Sequence, residues 1–377
     1  METVLITGGA GFIGSHLADE LLRHGYAVRA LDDLVDQVHP DGDRPAYLDD
    51  DVELVTGDVR DPGVVARALR GTDVVVHLAA RVGVGQSMYE LAEYTSVNTV
   101  GTAVLLEAIA ARRVRKLVVA SSMSVYGEGA YETIDGQPVS VERTPEHVDR
   151  GLWDVRDARG RPLRPVPTPE TKRPALASVY ALTKYDQERL CLVFGTAYDV
   201  PVVALRLFNT YGPRQSLSNP YTGVLAIFAS RLMNGRPPLV FEDGLQLRDF
   251  VAVSDVVRAA RLALESDRAN GHAINVGTGR GVSVLEVAET LRSVLGTDVQ
   301  PEVTGECRAG DIRHCFADVS LAKDVLGFEA EVDLGQGIAE LVAWLEGQVG
   351  EDRVEAAAAE LAERGLTRAA RATGDTS

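Results

Sequence analysis

No run of 18 apolar residues occurs in this 377-residue chain, so no membrane-spanning helix is expected. Cysteine is scarce. Cys191, Cys307 and Cys315 are too few and too scattered for a disulfide framework, which fits a reducing cytoplasm. The amino terminus, METVLITGG, has neither a basic region nor a cleavable apolar segment, so no secretory signal is expected. Cationic charge is also short: 38 Lys and Arg face 55 Asp and Glu, a net charge of −17. That argues against nucleic acid or a membrane surface as partner, because phosphate binding asks for clustered cations. An anionic small molecule stays open, since a few buried arginines outweigh a distant negative field. No internal repeat is visible, and no metal site is expected. With 45% apolar and 25% charged residues the composition is that of an ordinary globular protein, long enough for one large or two ordinary domains.

What is present is alternation. Short β-branched runs stand at 4–7, 28–31, 52–55, 74–79, 116–120 and 202–207, with helical periodicity between them, as in FIGSHLADELLRHG (12–25) and VNTVGTAVLLEAIAARR (97–113). Strands alternating with helices predict an α/β fold, a Rossmann-type doubly wound parallel sheet covered on both faces. Residues 128–170, rich in Pro, Arg, Asp and Gly, break the pattern and read as an irregular surface insertion. Beyond about 213 the pattern is mixed: helices at 223–235 and 254–266, strands at 238–241 and 273–276, a capping box of Ser283 and Glu286 opening another helix, and a closing helix within 333–348. The expected organisation is a dinucleotide-binding domain over 1–212, joined again by 249–272, and a smaller mixed α/β substrate-binding domain over 213–347. A tail over 348–377 is helical and then disordered.

The run VLITGGAGFIGSHLADEL carries Gly8, Gly11 and Gly14 between a strand and a helix. A tight turn there lets backbone N–H groups, including those of Phe12 and Ile13, approach a pyrophosphate whose charge the helix dipole favours. A structural glycine turn without ligand is the alternative. Asp32, ending the second strand in ALDDL, is placed to accept from ribose hydroxyls and disfavours a 2′-phosphate, which points to NAD rather than NADP. In GDVRD, Asp58 is expected at the adenine edge with Val59 beside it. In HLAA, the small Ala79 and Ala80, with Leu78, let a cofactor lie close, while His77 reads as a packed histidine.

SVYALTKYDQERL (178–190) is helical by period and sets Tyr180 and Lys184 on one face. Tyr-x-x-x-Lys alone is common; after a dinucleotide loop it gains a purpose. Removing a hydroxyl proton while hydride leaves the same carbon needs a base near neutral pKa. Bringing a tyrosine down by about three units takes roughly 4 kcal/mol of differential stabilisation, which an ammonium and a positive nicotinamide ring can supply. Ser122, at the end of the strand KLVVA, would hold the reacting oxygen near Tyr180.

As an ordered set, TGGAGFIG, LDDL, GDVRD, HLAA, VNTVGT, SSMSVYG, SVYALTK, RLFNTYGPRQ, LRDFVAVSD, INVGTG and RAGDIR resemble the extended short-chain dehydrogenase/reductase family, over roughly residues 3–345. Within it the likeness is to NAD-dependent nucleotide-sugar epimerases and dehydratases. The resemblance implies a catalytic trio of Ser122, Tyr180 and Lys184, the last two also touching NAD. Asn98 orients NAD and the active-site strand. By the same resemblance Asn209 and Arg248 hold the sugar diphosphate, Arg308 and Asp311 contact the nucleotide's phosphate and ribose, and Ser124 is a substrate contact. It also implies a homodimer paired through helices at about 97–112 and 179–197, with Val104, Leu105, Ile109, Leu190, Leu192 and Val193 as apolar positions.

Two positions depart from the family pattern. Val82 stands where several hexose 4-epimerases carry lysine, and the segment between Tyr126 and Tyr180 is some thirty residues longer than usual. A third observation separates reactions. The 4,6-dehydratases typically place Asp-Glu before V-Y-G as acid and base, and related decarboxylases keep the Glu; here Met123 and Ser124 stand there, and neither exchanges a proton at neutral pH. The expected reaction is therefore 4-epimerisation of a UDP- or dTDP-sugar by transient oxidation at C4. A dehydratase or decarboxylase drawing its acid from elsewhere is the second reading, and a non-catalytic NAD-binding protein the third.

Overall fold

A computed structural model describes residues 1–139, 141, 143, 151–215, 223–308, 311–346, 360 and 362–369. Seven strands, β1 (Thr3–Thr7), β2 (Ala27–Asp32), β3 (Glu53–Thr56), β4 (Val74–His77), β5 (Lys116–Ser122), β6 (Val202–Leu207) and β7 (Ala273–Val276), form one sheet in the order β7-β6-β5-β4-β1-β2-β3. Every pairing is parallel. The winding direction reverses between β1 and β4, and that is where a doubly wound sheet opens a crevice at its carboxyl ends.

Among the described residues, the helices that cover it or extend from it include α1 (Phe12–Arg23), α2 (Pro62–Ala68), α3 (Gly101–Ala111), α4 (Val179–Tyr198), α5 (Val224–Met233), α6 (Val253–Glu265), α7 (Val284–Leu295) and α8 (Leu334–Leu345). Side chains alternate across the sheet. Val4, Ile6, Val74 and Val76 pack on one face with Leu17 and Leu21 of α1 and Val256 and Ala260 of α6. Leu5, Val75, Leu117 and Val119 pack on the other with Val64 of α2, Ile109 of α3 and Phe194 of α4. Helix α6 thus lies beside α1, and Arg261 joins Glu20 across them at 2.8 Å. A separate apolar cluster gathers α5, α7 and α8 around Phe228, Leu291 and Leu341.

The predicted cap at Ser283 forms, with one difference. Ser283 Oγ accepts from Glu286 N at 3.1 Å, opening α7. The return half of the box is missing, because the Glu286 carboxylate faces Arg280 at 3.4 Å instead. The helix expected from Val97 begins as a π-turn, Thr95–Val100, before α3.

Two expectations change. The insertion is not irregular: Ala130–Glu132 pairs antiparallel with Pro138–Val139 and with Arg164–Val166. The small sheet has its own core of Tyr131, Val155 and Leu163. Buried charges lock the insertion to the chain beyond residue 240. Glu128 accepts from the backbone of Arg313 at 2.7 Å, and Arg143 reaches Glu242 at 2.6 Å. Strands of two or three residues bearing proline carry no readable period. At the tail, Thr367–Ala369 is a strand, antiparallel to Glu306–Arg308, where disorder was expected. Pairing with a partner some 60 residues away supplies order that local composition does not announce. Most of the expected tail helix lies outside the described residues.

Candidate active site

After β1 the chain turns at Gly8, whose φ of +71° suits glycine, and a Cβ there would sit 2.9 Å from the backbone nitrogen of Ala79. At Gly14 a Cβ would sit 2.1 Å from the Gly8 carbonyl, so the helix can approach the loop this closely because the residue is glycine. Gly11 is the N-cap of α1 with no side-chain cap, leaving the first amides of the helix to a ligand. Gly8, Gly11, Phe12, Ile13 and Gly14 all line a cleft of about 410 Å³. Asp32 lines it too, held in place as its carboxylate accepts from Ala10 N at 2.9 Å and Leu34 N at 3.0 Å. Val59, Leu78, Ala79 and Ala80 complete this wall. An uncapped helix start, a glycine cradle and an anchored carboxylate fit a dinucleotide.

Two expected cofactor residues stand off the wall. Burial pushes the Asp58 carboxyl up, but hydrogen bonds from Arg60 overcome this and hold it below its ordinary range. Its oxygens are engaged by the Arg60 guanidinium at 2.6–3.0 Å. Asn98 is fully buried and works from behind. Its carboxamide accepts from Arg81 N at 2.7 Å and donates to the Arg81 carbonyl at 3.1 Å and Thr183 Oγ1 at 2.9 Å, tying the cleft wall to α4.

Ser122, Tyr180 and Lys184 meet in the same cleft, although they come from β5 and α4. Ser178 Oγ caps α4 by accepting from Ala181 N at 3.1 Å, which sets the helix start beside the end of β5. Tyr180 hydrogen-bonds Ser122; burial pushes its phenol up and that hydrogen bond opposes the rise. Burial pushes the Lys184 amine down to about 7. Ser122 Oγ accepts from Ser124 N at 3.2 Å and Ser124 Oγ lies 2.9 Å away, so Ser124 touches the reacting end through Ser122. Ser121 is tied back, donating to Glu188 at 2.7 Å.

The far end of the cleft is polar and under-satisfied. Asn209 Oδ1 and Gln215 Oε1 are buried, line the cleft and have no hydrogen-bond partner among the described residues; Tyr211 lines the cleft too, but its unpartnered Oη lies against Gly337 of α8. Tyr211 and Gln215 were not singled out from the sequence, although both lie in the RLFNTYGPRQ motif. His39 was missed as well; it lines the cleft near Asp32 with its Nε2 unpartnered. No spacing in the sequence marks it. Arg248 is not on the wall. Its guanidinium donates to the carbonyls of Leu247, Arg313 and Ile312 at 2.9, 3.0 and 2.5 Å, and lies 3.4 Å from Asp311. Asp311 is thereby held beside Arg248. Arg308 lies in the strand Glu306–Arg308, its side chain outside the described residues. Val82 lines the cleft and is exposed.

Residues 4–146 and 160–277 match the NAD dependent epimerase/dehydratase family. The dTDP-L-rhamnose 4-epimerase of Burkholderia thailandensis is 35% identical over 349 residues, covering 91% of this chain and 95% of that protein. The UDP-glucose 4-epimerase of Thermotoga maritima, solved with UDP-glucose, superposes with a TM-score of 0.77 at 32% identity, covering 91% of this chain and 98% of its own. The Thermus thermophilus UDP-glucose 4-epimerase in complex with NAD gives 0.73 at 32% identity, covering 92% and 100%. Glycine cradle, switch-point cleft and full-length likeness agree: the chain belongs to the NAD dependent epimerase/dehydratase family and uses NAD.

Proposed function

We propose that this chain inverts C4 of a nucleoside-diphosphate sugar, with Ser122, Tyr180 and Lys184 at the reacting carbon. The observation that carries the choice of reaction is the acid content of the cleft. Among the described residues, the carboxylates on its wall are Asp32 and Asp33, both at the end of β2 and away from Ser122 and Tyr180. Met123 packs into the sheet core and Ser124 is a hydroxyl. No described acid of the insertion lines the cleft; Glu132 pairs with Arg164, Asp135 is exposed, and Glu142 lies outside the described residues. Dehydration and 3,5-epimerisation both need a base at a ring carbon; inversion at C4 needs one only at the C4 oxygen.

When bound, NAD supplies a hydride acceptor for C4, a donor for its return and a positive charge beside the phenol. The chain does the rest. Tyr180 takes the proton from the C4 hydroxyl and later returns it. Ser122 Oγ hydrogen-bonds the same oxygen and keeps it within reach of Tyr180. The unpartnered groups Asn209 and Gln215 support a polar substrate end where nucleotide and diphosphate are gripped while the sugar turns. The substrate class is a UDP- or dTDP-sugar, in keeping with the relatives. Turnover of a panel of such sugars by the wild type, abolished in Tyr180→Phe, tests the reading; a variant that retains turnover would sink it.

The working unit is a homodimer. Of the apolar positions on α3 and α4, Leu105 and Ile109 cover the sheet, but Val193 and Leu182 are 58% and 45% exposed on one side of α4. A second copy would cover them. A reducing compartment, the cytoplasm, suits Cys191, Cys307 and Cys315, which are buried and form no disulfide.

A further inference from the structure

Behind the reacting face of α4 lies a buried polar layer that the scheme above leaves unused. Gln187 is fully buried, three residues beyond Lys184, and its Oε1 accepts from Lys184 Nζ at 2.7 Å. Its amide nitrogen lies 2.9 Å from Thr102 Oγ1, 3.2 Å from the Ala79 carbonyl and 3.1 Å from His77 Nε2. His77 Nε2 is 2.8 Å from Thr102 Oγ1, and its Nδ1 is 2.6 Å from Thr7 Oγ1. Thr102 donates to the Asn98 carbonyl at 2.5 Å, and Thr7 Oγ1 accepts from Ala79 N at 3.2 Å.

One placement of protons satisfies all of these groups. The Thr102 proton sits on the Asn98 carbonyl, so Thr102 Oγ1 accepts from Gln187 and from His77 Nε2–H. His77 Nδ1 then accepts from Thr7, whose oxygen accepts from Ala79. Both hydrogens of the Gln187 amide are used, on Thr102 and on the Ala79 carbonyl. A flipped amide would set oxygen against the Ala79 carbonyl and N–H against the lysine ammonium. Residues from β1, β4 and α3 therefore fix one acceptor in front of Lys184. An ammonium has three donors; with one held by Gln187, two remain for the cleft that Lys184 lines.

We propose that Gln187 is a positioning residue for Lys184, orienting its Nζ and favouring its protonated form. The inference rests on the role given to Lys184 above. Burial pushes the Lys184 amine down to about 7 against smaller upward pulls from Cys191 and Glu188, so a hydrogen bond to the ammonium bears directly on which form prevails. His77 is pushed down by burial to about 3 and stays neutral, as the clamp requires. The titratable groups facing Lys184 are Tyr180, Glu188 and Cys191 on its own helix and His77 on β4. Glu188 is occupied by Arg206 of β6 and Ser121 of β5.

The chain has four lysines, Lys116, Lys172, Lys184 and Lys323, so the Lys184 Cε resonance can be followed by NMR in lysine-labelled protein. Gln187→Met keeps the length and removes the acceptor. Its Lys184 midpoint is expected about one pH unit below wild type, the loss of one charge-assisted hydrogen bond. With less ammonium beside Tyr180, the acid limb of kcat moves to higher pH, and kcat at pH 7 falls about threefold or more with KM unchanged. Gln187→Glu, which keeps an acceptor, moves the midpoint up instead. Thr102→Val, which loosens the clamp without touching Lys184, shifts it down by less. A Gln187→Met protein that is less stable but has an unshifted midpoint and pH profile overturns the proposal; if that variant does not fold, an unshifted Thr102→Val midpoint does so. Activity in Tyr180→Phe would instead defeat the reaction scheme, a separate outcome.

Discussion

Glu188→Gln should cost the fold much of its stability. Glu188 and Arg206 are both buried and face each other fork to fork, Nε to Oε2 at 2.9 Å and Nη2 to Oε1 at 2.6 Å. Arg206 Nη1 also donates to Tyr126 Oη at 2.9 Å and to the Glu170 carbonyl at 3.1 Å, while Tyr126 donates to Asn275 at 2.6 Å. The substitution leaves a guanidinium in the interior with its neutral partners but no counter-charge, a loss of about 3–5 kcal/mol. The lower figure applies here, because the Gln oxygen still accepts one bond, and it remains a large share of the roughly 5–15 kcal/mol typical of a folded domain. In urea, followed by circular dichroism, that amounts to a midpoint about 1 M lower at a slope near 3 kcal/mol/M. Replacing both partners, Glu188→Leu with Arg206→Met, removes both charges and should recover most of the loss. A single variant that loses under about 1 kcal/mol, or a double variant no better than the single, would refute the reasoning.

Turnover in heavy water should invert C4 with no deuterium on any ring carbon by proton NMR; deuterium at C3 or C5 would contradict the 4-epimerase reading. NAD should bind more tightly than NADP in a fluorescence titration, since the Asp32 carboxylate on the cleft wall would repel a 2′-phosphate; the reverse order would remove Asp32 from that role. Arg248→Ala, which frees the carbonyls of Leu247, Ile312 and Arg313, should raise KM by about tenfold and lower the urea midpoint; a normal KM would leave Arg248 purely structural. His77 titrates near 3 in the folded chain against an ordinary value of 6.5, so the unfolded state binds the proton first. Its contribution to stability is complete above pH 6.5 and is lost as pH falls towards 3, and a His77→Gln variant should show a flatter acid limb of stability.

The elements of the candidate site that meet in the cleft were legible because each depends on local chemistry. Gly8 needs a positive φ, Gly14 needs room against the Gly8 carbonyl, and Tyr180 and Lys184 share a helix face by spacing alone. The insertion was not legible. Its order comes from Glu128, Arg143, Glu242 and Arg313, which are distant in sequence and meet only once the chain has folded. Arg248 illustrates the same limit: its motif marks an arginine, but only the packed loop shows it holding backbone carbonyls.

From sequence alone follow the parallel α/β alternation, the glycine cradle with its carboxylate, the candidate set Ser122, Tyr180 and Lys184, and the absence of an acid at Met123 and Ser124. These are properties of residue type and spacing, and period 2 or 3.6 survives in one dimension. Tertiary structure alone decided which acids reach the cleft, which polar atoms in it lack partners, and that Gln187 stands between Lys184 and His77. Those facts depend on where β1, β4, β5, α3 and α4 come together. Hydrogen bonds between elements some 70 to 110 residues apart, such as Thr7 to His77 and Gln187 to Ala79, leave no period in the sequence that carries them.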